Sequence, residues 1–424
     1  MKKFIPKFLI NWYHFLIAFF SAVFNGFPSK KIKVIGITGT KGKSSTLFMA
    51  GKILEEAGFK VAWISSLSLK IGNNEKINPF HMSMPGRGFI QKFLRKAIQN
   101  KCDFCLLEVT SEGIKQFRHR FINFDTVLLT NLQPEHIEAH GGFENYKKAK
   151  KQLFNSPSKE KTIIVNLDDE NFKFYLDAPA KMKIGFSLDP QKTSNLVKKI
   201  IKPGGFEIKN DGANITFNQT QIRLNLLGQF NLQNVLAAIA IAETYGINLT
   251  TIKTALEKIK VIEGRMEEIK IGQNFKVFVD LAHTPDSFRA VFETVKSLRK
   301  QGKIIVVFGA AGGGRDKWKR PELGKIASQY ADIIILTNED PYEENPEKII
   351  EEIAKGINSK KVKLFKIQDR REGIRQGLKL AGKDDIVLVL GKGTEMTYVV
   401  GKNSKPWDER KIIREELTKL QGCI

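Results

Sequence analysis

The sequence predicts an α/β protein. A central domain is built on a parallel sheet around a P-loop, a Rossmann-like carboxy-terminal domain follows, and a short apolar helix stands in front. Two observations carry this reading. A strand, a glycine loop and a helix succeed one another from Ile32, and strands alternate with helices after them, the pattern of a parallel sheet with crossover helices. A second strand and glycine loop, KIIVVFGAAGGGR, begins at Lys303. The 424 residues suffice for two or three domains. The expected parts are an apolar helix over 1–29, a central domain over 30–261 and a carboxy-terminal domain over 262–424.

The amino-terminal element comes first. Phe8 to Phe27 holds no Asp, Glu, Lys or Arg, and lysines flank it at both ends. Its length just reaches that of a membrane span. Asn11, His14, Ser21 and Asn25 weaken a spanning helix, and Trp12 and Tyr13 favour an interface. No small-residue cleavage site follows, so a secretory signal is not read. Three readings stay open: an interfacial helix on the cytoplasmic leaflet, a helix packed on the protein's own body, and a transmembrane anchor.

The next element is the glycine loop. Residues 32–37, IKVIGI, form a β-branched apolar run that reads as a buried strand. TGTKGKSS follows, and then an apolar-periodic stretch from Leu47 to Ala57 reads as a helix. Glycines let backbone N–H groups turn toward an anion, and the helix N-terminus adds a positive dipole. Gly39, Thr40, Gly42, Lys43, Ser44 and Ser45 are the candidate phosphate group. Lys43 would reach the terminal phosphates and Ser44 would place its hydroxyl on Mg²⁺. The glycines stand at Gly36 and Gly39, so the loop departs from the simplest G-x-x-x-x-G-K-[ST] form.

Later elements add charged groups at strand ends. Glu108 closes the apolar run CLLEV, where α/β sheets bind ligands; a buried glutamate satisfied by backbone or lysine is the competing reading. His136 follows TNLQPE and could ligate a metal. Asn231 and Asn234 fall in a predicted helix. Asp280 and His283 lie just past the strand VFVD.

Composition narrows the class. Hydrophobic residues make up 42% and charged residues 27%, which excludes collagen, coiled coil and wholesale disorder. Three cysteines exclude a disulfide scaffold and a four-cysteine zinc site. Cys102 and Cys105 read as buried thiols. A net charge of +24 favours phosphate-bearing partners, with a lysine-rich composition bias as the plainer source. No nucleic-acid module is recognised, so no nucleic-acid partner is expected.

The loop GITGTKGKSS resembles that of the Mur ligase family. CLLEVTSEG, TNLQPEHIEAHGGFENYKKAK and LGQFNLQNVLAAIA resemble further motifs of that family in the same order. IEGRMEEI, VDLAHTPDS, VFGAAGGGRDKWKRPELG and VLGKGTE follow, and the last of these are most similar to its MurE-type (tripeptide synthetase) branch. The resemblance spans about residues 30–424. It implies an ATP-dependent acid–amino acid ligase working through an acyl phosphate in peptidoglycan precursor synthesis. It implies ATP and Mg²⁺, two ions, as cofactors, with a muramyl peptide and an amino acid as substrates.

The resemblance also implies roles. Lys43, Glu108, His136 and Lys150 are the catalytic group, and Ser44, Glu108, His136 and Lys150 the metal group. Lys150, spaced from Tyr146, matches a lysine carbamylated by CO₂, which turns a cation into an oxygen ligand. Asn234, Arg265, Asp280 and His283 join the glycine loop at the nucleotide. Ser83, Ser111 and Arg118 match muramyl-peptide positions. Arg315 matches the residue for the incoming amino acid, and Asp340, Gly391 and Glu395 complete the substrate set.

Two departures stand out. MurE-type enzymes carry a whole UDP-binding domain ahead of the loop; here the apolar segment stands in that place, which leaves UDP recognition open. The diaminopimelate signature D-N-P-R is EDPY here, Glu339 to Tyr342, so the added amino acid is open. The expectation is a monomer in the cytoplasm, with peripheral contact at the inner face of the membrane through residues 8–27. A ligase acting on a lipid-linked precursor or folate, and a non-catalytic membrane-associated ATP-binding protein, are the alternatives.

Overall fold

The computed structural model describes residues 6–422 apart from His81, Arg87, His136, Pro157, Ser359 and Lys360. They form two compact units. The first holds residues up to 209, 213–225 and 230–260; the second holds 210–212, 226–229 and the chain from 261.

The first unit opens with helix α1 (Lys7–Phe24). Its inward stripe includes His14, Phe15, Ala18 and Ala22. The ring of Phe15 meets Phe117 at 6.0 Å and Phe121 at 5.4 Å, and Phe19 meets Phe121 at 5.4 Å. The Ser21 hydroxyl donates to the Gly88 carbonyl at 3.2 Å. The outward stripe carries Phe8, Trp12, Leu16, Phe20 and Phe24, all exposed. Among the described residues no helix is long and apolar enough to cross a membrane.

The main sheet of this unit follows. In chain order its strands are β1 (Lys33–Thr38), β2 (Val61–Ile64), β3 (Ser68–Ile71), β4 (Asn74–Ile77), β5 (Phe104–Glu108), β6 (Thr126–Leu129), β7 (Thr162–Asn166), β8 (Met182–Phe186) and β9 (Lys199–Ile201). Side by side they run β4-β3-β2-β5-β1-β6-β7-β8-β9. From β2 to β9 every neighbouring pair is parallel. The β4-β3-β2 edge is antiparallel, a short meander that the expected parallel sheet did not include. Strand β1 is apolar and buried past its first residue, as a strand covered on both faces must be. It sits between β5 and β6, where the chain changes direction across the sheet. Ligands of open α/β sheets bind at the carboxyl ends of strands at such a point. Helix α2 (Lys43–Glu56) leaves that end of β1, and α3 (Phe89–Gln99) precedes β5. A separate antiparallel sheet joins β10 (Gly205–Lys209), β11 (Gly212–Phe217) and β12 (Thr220–Leu224).

The second unit holds β13 (Glu267–Glu268), β14 (Lys276–Asp280), β15 (Ile304–Phe308), β16 (Ile333–Leu336), β17 (Lys363–Lys366) and β18 (Ile386–Leu390). Their order is β13-β14-β18-β15-β16-β17. All pairs are parallel except β13 with β14, which is the expected Rossmann-like arrangement.

One buried ion pair ties its carboxyl edge together. Arg370 and Glu409 have side chains with no exposed surface. The guanidinium forks onto the carboxylate at 2.6 and 2.8 Å, and donates to the Leu390 carbonyl at 2.9 Å and the Asn338 carbonyl at 3.3 Å. Two helices and the ends of β16 and β18 thus share one charged fork. Removing one partner strands the other charge in the interior. Glu409→Ala is therefore expected to destabilise the protein by about 3–5 kcal/mol, read from chemical unfolding; a loss below about 1 kcal/mol would show that the pair is solvated.

Candidate active site

The phosphate loop is positioned by both neighbours of β1. Gly39 has φ of +147° and an added Cβ would lie 1.9 Å from the Thr130 hydroxyl. Gly42 has φ of +80° and its Cβ would lie 2.2 Å from the Asn234 amide oxygen. Neither position has room for a side chain, and Gly42 has a left-handed backbone suited to glycine. The loop is then pinned from β6. The Thr40 and Lys41 N–H groups donate to the backbone and side-chain oxygens of Asn131, both at 2.9 Å. Thr130 donates to the Lys41 carbonyl at 2.6 Å. The Thr40 hydroxyl, buried, contacts the Tyr146 hydroxyl at 3.1 Å and accepts from the Gln133 N–H at 2.9 Å. Ser44 and Ser45 are buried in the first turn of α2, where unpaired N–H groups and the dipole face an incoming anion. The helix starts at Lys43, earlier than the periodicity from Leu47 indicated, because glycines and serines carry no apolar period.

Glu108 is the hub. It is 4% exposed. Its Oε2 accepts from the Ser44 hydroxyl at 2.7 Å and the Ser66 N–H at 2.8 Å, and its Oε1 accepts from the Ser83 hydroxyl at 2.7 Å. One carboxylate therefore links the phosphate loop to the loop holding Ser83. Register supports this: Glu108 stands beside Ile37 across β1 and β5. The reading of Glu108 as satisfied by backbone or lysine is met only in part, since two of the three donors are hydroxyls.

Lys150 is buried, not solvated. It is 2% exposed on helix 143–154. Its Nζ donates to the Gly39 carbonyl at 2.7 Å and lies 4.7 Å from the centre of the Tyr146 ring. Lys43 donates to that same carbonyl at 3.1 Å and to Thr40 O at 2.9 Å. Burial first, and then the Lys43 ammonium, push the Lys150 pKa well below the ordinary lysine value.

The remaining candidates of this unit divide. Asn234 reaches the loop: its side chain faces Gly42 and takes a 3.4 Å contact from the Thr46 hydroxyl. It also donates to Asn231 at 3.1 Å. Ser111 is buried and contacts His140 Nε2 at 3.2 Å. Arg118 donates to the Met84 carbonyl and the Gln116 amide oxygen, holding the stretch that follows Ser83. His136 lies outside the described residues. Among those described, no three His, Cys, Asp or Glu side chains converge as a metal cluster. The Ser44 hydroxyl and Glu108 carboxylate are hard oxygen donors side by side, which suits Mg²⁺.

In the second unit, Asp280 is buried and accepts from the Met266 and Ala282 N–H groups at 2.8 and 2.7 Å. His283 Nδ1 lies 2.7 Å from the Leu281 carbonyl. Arg265 contacts the Gly264 carbonyl at 3.2 Å. Asp340 and Gly391 gather with Lys392 and Glu395 at the strand ends. Lys392, without exposed surface, bridges Asp340 and Glu395 at 2.7 Å each. The Gly391 N–H donates to the Asp280 carbonyl at 3.0 Å. Asp340 and Tyr342 have φ of +38° and +50°, a backbone state rare outside glycine and concentrated at functional sites. Arg315 is exposed. Arg320, in the same quoted motif, is buried on Glu344 and Glu352 at 3.1 and 2.7 Å.

Some participants were not singled out from sequence. Asn131 and Lys392 lay inside motifs already quoted, so motif membership could have found them. Ser66 lies in a turn between two strands with no local signal; its role depends on β2 and β5 being neighbours.

Comparison with known proteins follows this geometry. The Mur ligase middle domain matches residues 37–242, and the Mur ligase, glutamate ligase domain matches residues 264–393. UDP-N-acetylmuramyl-tripeptide synthetase of Borrelia garinii subsp. bavariensis is 37% identical over 427 residues, 98% of this chain and 81% of its own. UDP-N-acetylmuramoyl-L-alanyl-D-glutamate–2,6-diaminopimelate ligase of Caldanaerobacter subterraneus subsp. tengcongensis is 34% identical, over 93% of this chain and 80% of its own. A solved structure of a ligase with the same name as the latter is 27% identical, with a TM-score of 0.59, covering 92% of this chain and 79% of its own. The folylpolyglutamate synthase of Mycobacterium tuberculosis shares the fold at 14% identity, with a TM-score of 0.70, covering 89% of this chain and 92% of its own.

Glu339 offers a test of the second cluster. Its Oε2 is buried without a hydrogen-bond partner, and burial raises its pKa from 4.5 to about 7. A raised carboxyl stabilises the fold below its unfolded pKa, and that contribution is lost as pH rises through the folded value. Wild type is therefore expected to lose stability between pH 4.5 and about 7 relative to Glu339→Gln, by at most about 3 kcal/mol. Denaturant unfolding of both proteins across that range measures it; a difference independent of pH would exclude Glu339 as the titrating group.

Proposed function

Because this chain belongs to the Mur ligase family, we propose that its first unit activates a carboxylate with ATP and its second unit holds the amino acid that receives the acyl group. The protein is an ATP-dependent ligase forming carbon–nitrogen bonds in peptidoglycan precursor synthesis, and its substrates are a muramyl peptide and an amino acid. The family uses ATP and Mg²⁺. The observation that carries the residue assignment is the Glu108 carboxylate, bonded to Ser44 of the phosphate loop and to Ser83 of the loop read as acceptor-binding.

The chemistry follows from these positions. Lys43 and the N–H groups opening α2 would hold the phosphates of ATP. Ser83, Ser111 and Arg118 would orient the acceptor. The acceptor carboxylate oxygen attacks the terminal phosphorus; that bond forms as the bond to the ADP oxygen breaks. The amino-acid nitrogen then attacks the acyl carbon, loses a proton and expels phosphate from the tetrahedral intermediate. Ser44, Glu108, His136 and Lys150 would hold Mg²⁺, two ions in this reading, which when bound neutralises the phosphate oxygens. Asn234, Arg265, Asp280 and His283 are assigned to the nucleotide. Arg315, Asp340, Gly391 and Glu395 are assigned to the substrate side. The three expected parts, over 1–29, 30–261 and 262–424, are the proposed organisation, and a single chain carries every assigned group, so a monomer suffices.

We also assign a carbamate to Lys150. Its depressed pKa favours the neutral amine, whose lone pair can add to CO₂ with loss of one proton. The product carboxylate would relieve two amines crowded on one carbonyl. Peripheral attachment at the inner face of the membrane rests on the outward aromatic face of α1, since so large an apolar patch marks an interaction surface.

Two experiments test this. Phosphate release from ATP is expected only with a muramyl peptide and an amino acid both present, with panels of each identifying the acceptor and the amino acid. Lys43→Ala is expected to reduce turnover by about 10²-fold or more, and Lys150→Ala likewise, with partial recovery in acetate. Unchanged turnover in a folded Lys43→Ala protein would reject the site; absence of acetate recovery would reject the carbamate. For attachment, flotation with phosphatidylglycerol vesicles is expected for wild type and lost in Trp12→Glu/Phe20→Glu; equal flotation of both would reject the α1 face.

A further inference from the structure

A second binding region lies beneath α1 in the first unit. Between this helix and the chain around Ser83 is a cavity of about 1000 Å³, at the upper end for small-molecule sites. Leu9, Ile10, Ile17, Phe80, Phe89 and Ile90 line it. Arg118 and Arg120 stand on its wall, Arg120 exposed. Gln91 also lines it, is 4% exposed, and leaves its amide oxygen without a partner. Its amide nitrogen points to the Phe121 carbonyl at 3.4 Å.

These groups define a ligand. A free nucleotide sugar would bury many polar atoms against aliphatic and aromatic walls, which costs free energy without compensating bonds. A long hydrocarbon chain fits those walls. Arg120, exposed on the wall, matches a phosphate attached to it. Continuity fixes the direction. Met82 and Pro85 line the cavity, and Ser83 between them donates to Glu108. The outward face of α1 extends the apolar surface toward a bilayer, so a chain could enter without crossing water. We propose that this cavity binds the hydrocarbon chain and phosphate of a polyprenyl-phosphate glycolipid, the lipid-borne form of the muramyl peptide acceptor. The identity of the acceptor rests on the ligase reading; the cavity's preference for an anionic amphiphile does not.

The test uses the full-length protein and farnesyl diphosphate as probe, below its micelle concentration, by titration calorimetry. Farnesyl diphosphate is expected to bind at least about a hundredfold more tightly than inorganic diphosphate, since its chain is buried, and more tightly than UDP. Ile17→Trp, which fills the cavity, is expected to weaken it by about tenfold or more. Arg120→Met, on an exposed residue that leaves the fold intact, should weaken farnesyl diphosphate several-fold and leave farnesol unchanged. Trp12→Glu, on the outward face, should leave affinity within about twofold. Equal affinity for farnesyl and inorganic diphosphate, tighter binding of UDP, or loss in Trp12→Glu without loss in Ile17→Trp would each overturn the site. Binding as expected in a protein that releases no phosphate with any muramyl peptide would uphold the amphiphile site and reject the ligase reading alone.

Discussion

Two lysine amines share the carbonyl oxygen of Gly39. Lys43 approaches it from the helix that the loop opens, and Lys150 from a helix more than a hundred residues later. Like charges this close repel strongly where water is excluded. Burial and the neighbouring Lys43 push the Lys150 pKa well below the ordinary lysine value. Both features suit the proposed chemistry: phosphates would bind where the cations converge, and a lowered pKa would favour the neutral form of the deeper amine. Lys150 is buried against the Tyr146 ring, and Gly39 must be a glycine because an added Cβ would lie 1.9 Å from the Thr130 hydroxyl.

The opposite charge is handled as carefully. Glu108 accepts from three donors, two of them serine hydroxyls that can turn away when a metal ion takes their place. A carboxylate held by backbone alone would be fixed; one held by hydroxyls can exchange partners. The second unit shows the rigid alternative. Arg370 and Glu409 form a closed fork with no exposed surface, and this pair frames the strand ends where Asp340, Lys392 and Glu395 meet.

Helix α1 departs from the usual division between packed and solvated faces. A surface helix normally carries one apolar stripe. This one packs aromatics inward on Phe117 and Phe121 and presents another set outward. The inward packing does not close completely; it leaves the apolar cavity beside Arg118. An outward apolar face and an inward apolar cavity on one helix suit a protein that works where hydrocarbon and water meet.

Much of this was legible in the sequence for a physical reason. A phosphate cradle is local: strand, glycine turn and helix N-terminus are consecutive, so Gly39 to Ser45 announce it. Alternation of strands and helices likewise predicts parallel sheets, because only crossovers connect parallel neighbours. Glu108 was legible as a strand-end carboxylate, and Lys150 only through the family resemblance, within which its spacing from Tyr146 picks it out. What the chain could not disclose locally was burial and partnership. Lys150 lies in a run that reads as a solvated basic face, and only the packing of helix 143–154 beneath the loop makes it a buried amine. Ser66 joins Glu108 because β2 and β5 are neighbours in the sheet, although more than forty residues separate them. Arg320 opens the helix that follows a loop resembling an amino-acid site, yet two distant glutamates claim it. The apolar segment before the loop allowed three readings, and the partners of its inward face, Phe117 and Phe121, lie far along the chain. Sequence by itself determined the class of fold and the place of the phosphate loop; tertiary contact decided which charged groups are free to act.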